Sequence, residues 1–390
     1  FWTQVIDIEL PQIVRLERPA GGAVAIADAA KLLSEAKFPV ILSGAGVVIG
    51  GAIPECQALA ERLDAPVASG YQHNDSFPGS HPLAAGPLGY NGSKAAMELI
   101  AQADVVLALG TRLNPFSTLP GYGIDYWPTN ASIIQVDINS DRIGLAKKVS
   151  VGICGDAKLV ARQILDQLSA NAGDAGREER KATIHQAKSS WLQALSSMDH
   201  EDDDPGTDWN AESRKRDADL MSPRQAWRAI QAGLPEDAII SSDIGNNCAI
   251  GNAYPTFEEG RKYLAPGLFG PCGYGFPSIL GAKIGNPDTP VVGFAGDGAF
   301  GISMNEMISC GREEWPAITM VIFRNYQWGA EKRNSILWYD NNFVGTELNP
   351  DLSFAKVAEG CGLKGVSVKT PEALTEALKV ACKAQDDGVT

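Results

Sequence analysis

Short apolar runs, each closed by a turn and followed by a stretch with helical spacing, recur along most of this chain. That alternation confines it to parallel sheets covered by helices. A helix is expected over 23–36, where Ile26, Ala29, Leu32 and Leu33 share a face, and a strand over 39–42. Helices at 53–63, 94–103 and 157–168 and strands at 66–68, 105–109 and 132–137 continue the pattern into a Rossmann-like unit. Alternation resumes at 221, with Ser222 as N-cap and Pro223 in the first helical position. Strands are expected there at 238–243, 262–264, 290–295, 317–323 and 366–368, and helices at 274–284, 303–312, 354–361 and 371–384. The fold class is therefore α/β, with two doubly wound parallel-sheet domains.

Residues 1–22, which contain Pro11 and Pro19 and stop at Gly21-Gly22, read as a connector. The central domain spans 23–169 and the second domain 221–390. Between them, 170–220 is dense in charge, with a helical piece around 184–195 and an acidic run at Glu201-Asp202-Asp203-Asp204. Consecutive carboxylates cannot converge on one ion, so this stretch reads as a solvated linker.

Two strand ends carry the chemistry. The run 290–295 leads into Gly296-Asp297-Gly298-Ala299, and the run 317–323 ends just before Asn325. Ligands of open parallel sheets bind beyond such ends, so Asp297 and Asn325 would face one crevice. A carboxylate, an amide oxygen and a nearby backbone carbonyl are too few to enclose Mg²⁺, but they suffice once phosphate oxygens complete the octahedron. Gly298 and Ala299 would open a helix whose first N–H groups receive an anion, so the implied ligand is a metal-bound diphosphate. Gly-Asp-Gly by itself is an ordinary turn signal; its weight comes from Asn325, 28 residues on and beyond another strand. A second glycine-rich turn, Gly44 to Gly51, is similar to a dinucleotide fingerprint with its third glycine one residue late. Tight strand-to-helix packing accounts for it better.

A net charge of −14 with no Lys/Arg block argues against a nucleic-acid surface, and no apolar run is long enough to span a bilayer. Seven scattered cysteines without a Cys-x-x-Cys pair read as buried thiols in a reducing cytoplasm. Four histidines without zinc spacing, and no Gly-x-Ser-x-Gly elbow, set aside hydrolases of the zinc and serine types.

Three stretches, Ser242-Asp243-Ile244-Gly245-Asn246-Asn247, Gly270-Pro271-Cys272-Gly273-Tyr274-Gly275-Phe276-Pro277 and the Asp297/Asn325 pair, together resemble the thiamin-diphosphate enzymes of the acetohydroxyacid synthase and pyruvate oxidase group. The resemblance implies that Asn246, Asn247 and the amides of Gly298 and Ala299 hold the diphosphate. Asp297, Asn325 and the carbonyl of Gln327 would bind Mg²⁺, and the backbone at Gly270 and Cys272 would meet the aminopyrimidine. Cys272 stands where relatives often carry a bulkier apolar prop, and Arg324 replaces the first Asn of the usual pair.

Within that group, 323–334 and 343–348 are most similar to the sulfoacetaldehyde acetyltransferase family. That implies conversion of sulfoacetaldehyde and phosphate to acetyl phosphate and sulfite, with the cofactor as electron sink. Both substrates are anions, which makes Arg324, Lys332 and Arg333 candidate substrate cations; solvated surface charge is the alternative for each. The runner-up activity is an acetolactate synthase-type carboligase, and a non-catalytic subunit on the same fold is a third possibility. The flavin of several relatives finds no convincing site in the central domain. Family sites built across subunits imply a homodimer or homotetramer. The absence of Met at Phe1 and the turn signal at Asp387-Gly388 suggest a fragment, with the family's catalytic Glu expected in an amino-terminal domain outside it.

Overall fold

The computed structural model describes residues 17–198, 220–267, 269–312 and 314–390, with Glu9, Gln12 and Val14; the acidic run 201–204 and Pro11 lie outside the described residues. The first unit runs α1 (Ala23–Glu35), β1 (Pro39–Ser43), α2 (Ala45–Gly50), α3 (Ile53–Leu63), β2 (Val67–Ser69), β3 (Ala84–Pro87), α4 (Lys94–Ala101) and β4 (Val105–Leu109). It continues through α5 (Pro115–Thr118), β5 (Ser132–Asp137), β6 (Val151–Cys154), α6 (Ala157–Gln167) and α7 (Arg177–Met198). The six strands are parallel, in the order β3-β2-β1-β4-β5-β6, which reverses direction between β1 and β4 as in dinucleotide-binding sheets. Every residue of β1 and β4 is buried, which is why these strands read as unbroken apolar runs.

The glycine turn after β1 is a packing device. Gly46 N donates to Gly110 O at 2.8 Å, and a Cβ on Gly46 would stand 2.7 Å from Gly110 Cα. A side chain there would push α2 off the end of β4.

The first half of the stretch read as a solvated linker packs instead. Ile184, Ala187, Trp191 and Leu195, spaced three and four apart, are buried on the face of α7 that meets α4. Arg180, near its start, is 1% exposed and donates to five backbone carbonyls, those of Asp64, Lys37, Ala175, Leu63 and Gly173, at 2.6 to 2.9 Å. Charged composition concealed this stripe.

The second unit begins with α8 (Pro223–Gly233), whose Ser222 and Gln225 form a reciprocal capping box. It continues with β7 (Ile239–Ser242), α9 (Asn246–Gly251), β8 (Tyr263–Leu264), α10 (Gly275–Gly285), β9 (Val291–Gly296), α11 (Asp297–Ser303), α12 (Met307–Cys310), β10 (Thr319–Phe323), α13 (Gly329–Trp338), α14 (Phe354–Gly360) and α15 (Pro371–Ala384). Its strands are also parallel, in the order β10-β9-β7-β8.

Two expectations fail here. The helix expected over 303–312 starts at Asp297, so Gly298 and Ala299 lie within its first turn, and a 3₁₀ turn at 304–306 separates it from α12. No strand forms over 366–368: the segment pairs with no sheet, and Val366 is exposed between Lys364 and Lys369. Three apolar residues without a pairing partner do not make a strand. Four of the seven cysteines are buried and Cys154 is exposed; all seven are free thiols.

Candidate functional site

In the second sheet the chain order reverses between β7 and β9, so the crevice beyond their carboxyl ends is the topological switch point. After β7 the chain turns through Gly245, whose φ of 143° belongs to the region open to glycine, and enters α9 with Asn246 and Asn247 in its first turn. The indole of Trp227, fully buried on α8, donates to Asn247 O at 2.9 Å and anchors that turn. Asn247 is buried, and its Nδ2 has no hydrogen-bond partner among the described residues. Its Oδ1 lies over Gly245 and Gly296, where a Cβ would come within 3.0 and 3.9 Å. A buried donor without a protein acceptor, beside two glycines, suits an anionic ligand.

Asp297 directly follows β9, opens α11 and is 4% exposed. Its Oδ2 accepts from Tyr326 N at 2.7 Å and its Oδ1 from Gly298 N at 3.1 Å. Burial pushes its pKa above the usual carboxylate range, against the pull of these backbone N–H groups. A bound cation would reverse that shift. The loop after β10 is thus drawn onto the end of β9.

Asn325 Oδ1 accepts from Gln327 N at 3.3 Å, turning the loop so that Tyr326 takes a φ of 62°. The loop is strapped from outside: Trp328 N donates to Thr346 O at 2.8 Å, Leu348 N to Tyr326 O at 2.9 Å, and Gln327 bridges Glu347. A Cβ on Gly329 would stand 2.8 Å from Asn325 Nδ2 and 3.1 Å from Asn246 Nδ2, so the two amides meet beside that glycine. A Cβ on Gly298 would strike the Trp328 ring at 2.8 Å. The fold therefore gathers Asn246, Asn247, Asp297, Gly298, Asn325 and Gln327 from three segments into one crevice, with Ala299 buried in the turn behind Gly298.

The Gly270–Gly275 loop arrives from the β8 side. Its tether is Asp243, fully buried just beyond β7, a residue whose role the Ser242–Asn247 motif alone does not reveal. Asp243 Oδ1 accepts from Ile244 N (2.8 Å) and Gly273 N (3.0 Å), and Oδ2 from Gly275 N (2.7 Å). One carboxylate thus ties the turn before Asn246 to the loop holding Gly270 and Cys272. The signal was an acid at a strand end with backbone donors on both sides. Cys272 is half-buried, its Sγ 3.9 Å from Ile244 O, and burial pushes its thiol pKa up.

The three cations have different surroundings. Arg324 donates to Pro350 O at 2.8 Å and stacks over Tyr326, 4.5 Å from the ring centroid. Lys332 pairs with Glu347 at 2.7 Å. Arg333 donates to the hydroxyl of Tyr90, across the seam on the central domain.

Residues 26–164 match the family model for the thiamine pyrophosphate enzyme central domain, and residues 243–390 match that for the C-terminal TPP binding domain. The chain belongs to the thiamine pyrophosphate enzymes. Its relatives in that family include a probable sulfoacetaldehyde acetyltransferase of Rhizobium meliloti, 80% identical over all of this chain and 66% of the relative. A sulfoacetaldehyde acetyltransferase of Roseovarius nubinhibens is 72% identical over all of this chain and 65% of its own length. A probable acetolactate synthase large subunit of Methanococcus aeolicus is 30% identical over 93% of this chain and 59% of its own length. The chain thus spans slightly less than two thirds of the curated relatives it matches. Among thiamine pyrophosphate enzymes it carries the central and the cofactor-binding domains, and the crevice at β7 and β9 lies in the second.

Proposed function

We propose that this chain provides the central and diphosphate-binding domains, 23–169 and 221–390, of a sulfoacetaldehyde acetyltransferase that converts sulfoacetaldehyde and phosphate to acetyl phosphate and sulfite. The observation that carries it is the identity of 80% and 72% to proteins of that name along the whole chain, which includes every residue of the crevice. The acetolactate synthase-type carboligase is set back by its relatives' distance, about 30%.

The residues suit a metal-bound diphosphate. Asn247 offers a buried, unpartnered amide donor, Asn246 stands next to it, and the N–H groups of Gly298 and Ala299 lie in the turn that Asp297 begins. Asp297, Asn325 and the backbone carbonyl of Gln327 would hold Mg²⁺ with hard oxygen atoms, and ligand phosphates would supply the rest. Gly270 and Cys272, tied down by Asp243, would face the aminopyrimidine. When bound, thiamin diphosphate supplies the electron sink that lets a carbon–sulfur bond break and an acetyl group pass to phosphate.

The chain's own contribution is position and charge. Asp297 balances the cation, and the amides fix the diphosphate. Arg324, Lys332 and Arg333 add positive potential for two anionic substrates. A homodimer or homotetramer is the assembly we infer, with the small anions sulfoacetaldehyde and phosphate as substrates. Phosphate-dependent release of sulfite from sulfoacetaldehyde, measured with Mg²⁺ and thiamin diphosphate on the protein assembled with its complete catalytic machinery, tests the activity; acetolactate formation from pyruvate without sulfite release would overturn it. Calorimetry of the chain itself tests the site: thiamin diphosphate should bind only with Mg²⁺, and Asp297→Ala should abolish binding.

A further inference from the structure

The helix that carries Asn246 and Asn247 is six residues long, too short to hold its shape by its own hydrogen bonds. Much of what fixes α9 comes from the other domain. Asn252, which caps its carboxyl end, is fully buried and bonded to the central domain through three groups. Its Oδ1 accepts from Gln72 N at 3.1 Å, its Nδ2 donates to Leu88 O at 3.3 Å, and its carbonyl accepts from Asn74 Nδ2 at 2.9 Å. The same Asn74 Nδ2 reaches Pro255 O at 2.8 Å. One turn nearer the crevice, the hydroxyl of Tyr71 stands 3.7 Å from Cys248 Sγ. Gln72 presents its N–H from a φ of 60°, a conformation that a residue with a side chain keeps only where its surroundings fix it.

We propose that Asn252 is a positioning residue through which the central domain sets the placement of α9, and hence of the Asn246 and Asn247 amides on the diphosphate. It rests on the diphosphate site proposed above. Asn252 lies at the opposite end of α9 from those two amides, and it is no part of the Asp243 tether. Its loss should weaken the hold on the diphosphate and leave the hold on the pyrimidine as it was. The two ligands that share a diphosphate, inorganic pyrophosphate and thiamin diphosphate, should then suffer equally.

The full chain is titrated calorimetrically with inorganic pyrophosphate and with thiamin diphosphate, each with excess Mg²⁺, as wild type, Asn252→Leu and Asn74→Ala. For Asn252→Leu, both affinities should fall by the same factor, about tenfold or more, because buried partners on both sides lose their bonds. Asn74→Ala, which leaves Asn252 in place, should lower both in parallel by a smaller factor. Asn252→Asp, keeping the Oδ1 acceptor without the donor to Leu88, should restore part of the loss. Circular dichroism establishes that each variant is folded at the titration temperature. Unchanged affinities in folded Asn252→Leu would overturn the proposal, as would a loss for thiamin diphosphate with pyrophosphate unaffected. Should Asn252→Leu fail to fold, Asn74→Ala decides by the same two criteria. If the wild type binds neither ligand, the diphosphate site itself is wrong and this role falls with it.

Discussion

The amide of Tyr326, three residues beyond β10, donates to Asp297 Oδ2 at 2.7 Å, so the carboxylate at the end of one strand holds the loop that leaves its neighbour. The same group is placed to bind a cation and to shape the loop that carries Asn325 and Gln327. Folding and the metal binding proposed above would therefore be coupled at one side chain.

The coupling gives a pH dependence with a definite sign. Burial raises the pKa of Asp297 in the folded, metal-free chain, so the folded state holds its proton to higher pH than the unfolded state does. The stability this contributes is present below the unfolded carboxylate value and is lost as pH rises through the raised one. Relative to Asp297→Ala, the metal-free wild type should lose melting temperature across that window. Mg²⁺ with thiamin diphosphate should reverse the trend, stabilising the wild type increasingly as pH rises toward and above the raised pKa, where the carboxylate is charged. Melting curves of both proteins from pH 4 to 8 test this; parallel curves without ligand would contradict it.

Gly329 separates the two amides of the crevice. A methyl group there would stand 2.8 Å from Asn325 Nδ2 and 3.1 Å from Asn246 Nδ2, so one of them must move. Gly329 opens α13, where alanine is a better helix former than glycine by about 1 kcal/mol. Gly329→Ala should therefore keep or raise the melting temperature while weakening Mg²⁺-dependent thiamin diphosphate binding at least about tenfold, the loss expected when one buried contact is broken. Titration and melting of the same preparation separate the two effects.

Local chemistry made much of this legible in the sequence. β1, β4 and β9 are fully or almost fully buried, largely apolar runs, and α8 has its whole cap written in Ser222, Pro223 and Gln225. Asp297 and Asn325 could be placed together because both follow strands of one parallel sheet. What stayed hidden depends on distant partners. Arg180 in a charged segment looks like surface until five carbonyls from separate turns converge on it. Asp243 looks like a turn residue until the Gly273–Gly275 loop folds onto it. The apolar trio at 366–368 has the composition of a strand and no neighbour to pair with.

Arg180 offers a test of the packing of α7, which the sequence reads as part of a solvated linker. Five carbonyls lose a donor in Arg180→Leu, two of them, those of Leu63 and Gly173, in buried bonds, and each buried group left unsatisfied costs about 1–3 kcal/mol. The variant should lose about 3 kcal/mol or more of stability in urea, even allowing for water reaching some of them. A solvated linker would show almost no change. Because the α7–α4 contact belongs to the central domain, protease cleavage should appear first within that domain.

The cations around the metal loop should differ in their hold on anions, because their partners differ. Lys332 is paired with Glu347 at 2.7 Å, so much of its field is already cancelled. Arg333 donates to the neutral phenol of Tyr90 and forms no ion pair among the described residues, so its charge is not compensated there. It also lies one helical turn beyond Gly329 on the same face of α13, the face that passes Asn325 and Asn246. Potentials add, so a paired Lys332 and Glu347 together contribute little, whereas Arg333 contributes nearly its full charge. Arg333→Gln should therefore weaken phosphate binding to the Mg²⁺ and thiamin diphosphate complex by about tenfold, the scale of a charge-assisted hydrogen bond. Removing the pair as a whole, Lys332→Gln together with Glu347→Gln, should have a much smaller effect, and Tyr90→Phe, which keeps the ring under the guanidinium but removes its acceptor, should fall between. Phosphate titrations at low and high ionic strength measure the order, and salt should narrow the gap between Arg333→Gln and wild type. A larger loss for the double variant than for Arg333→Gln would mean that Glu347 swings away when the anion arrives, and would make Lys332 rather than Arg333 the cation that receives it.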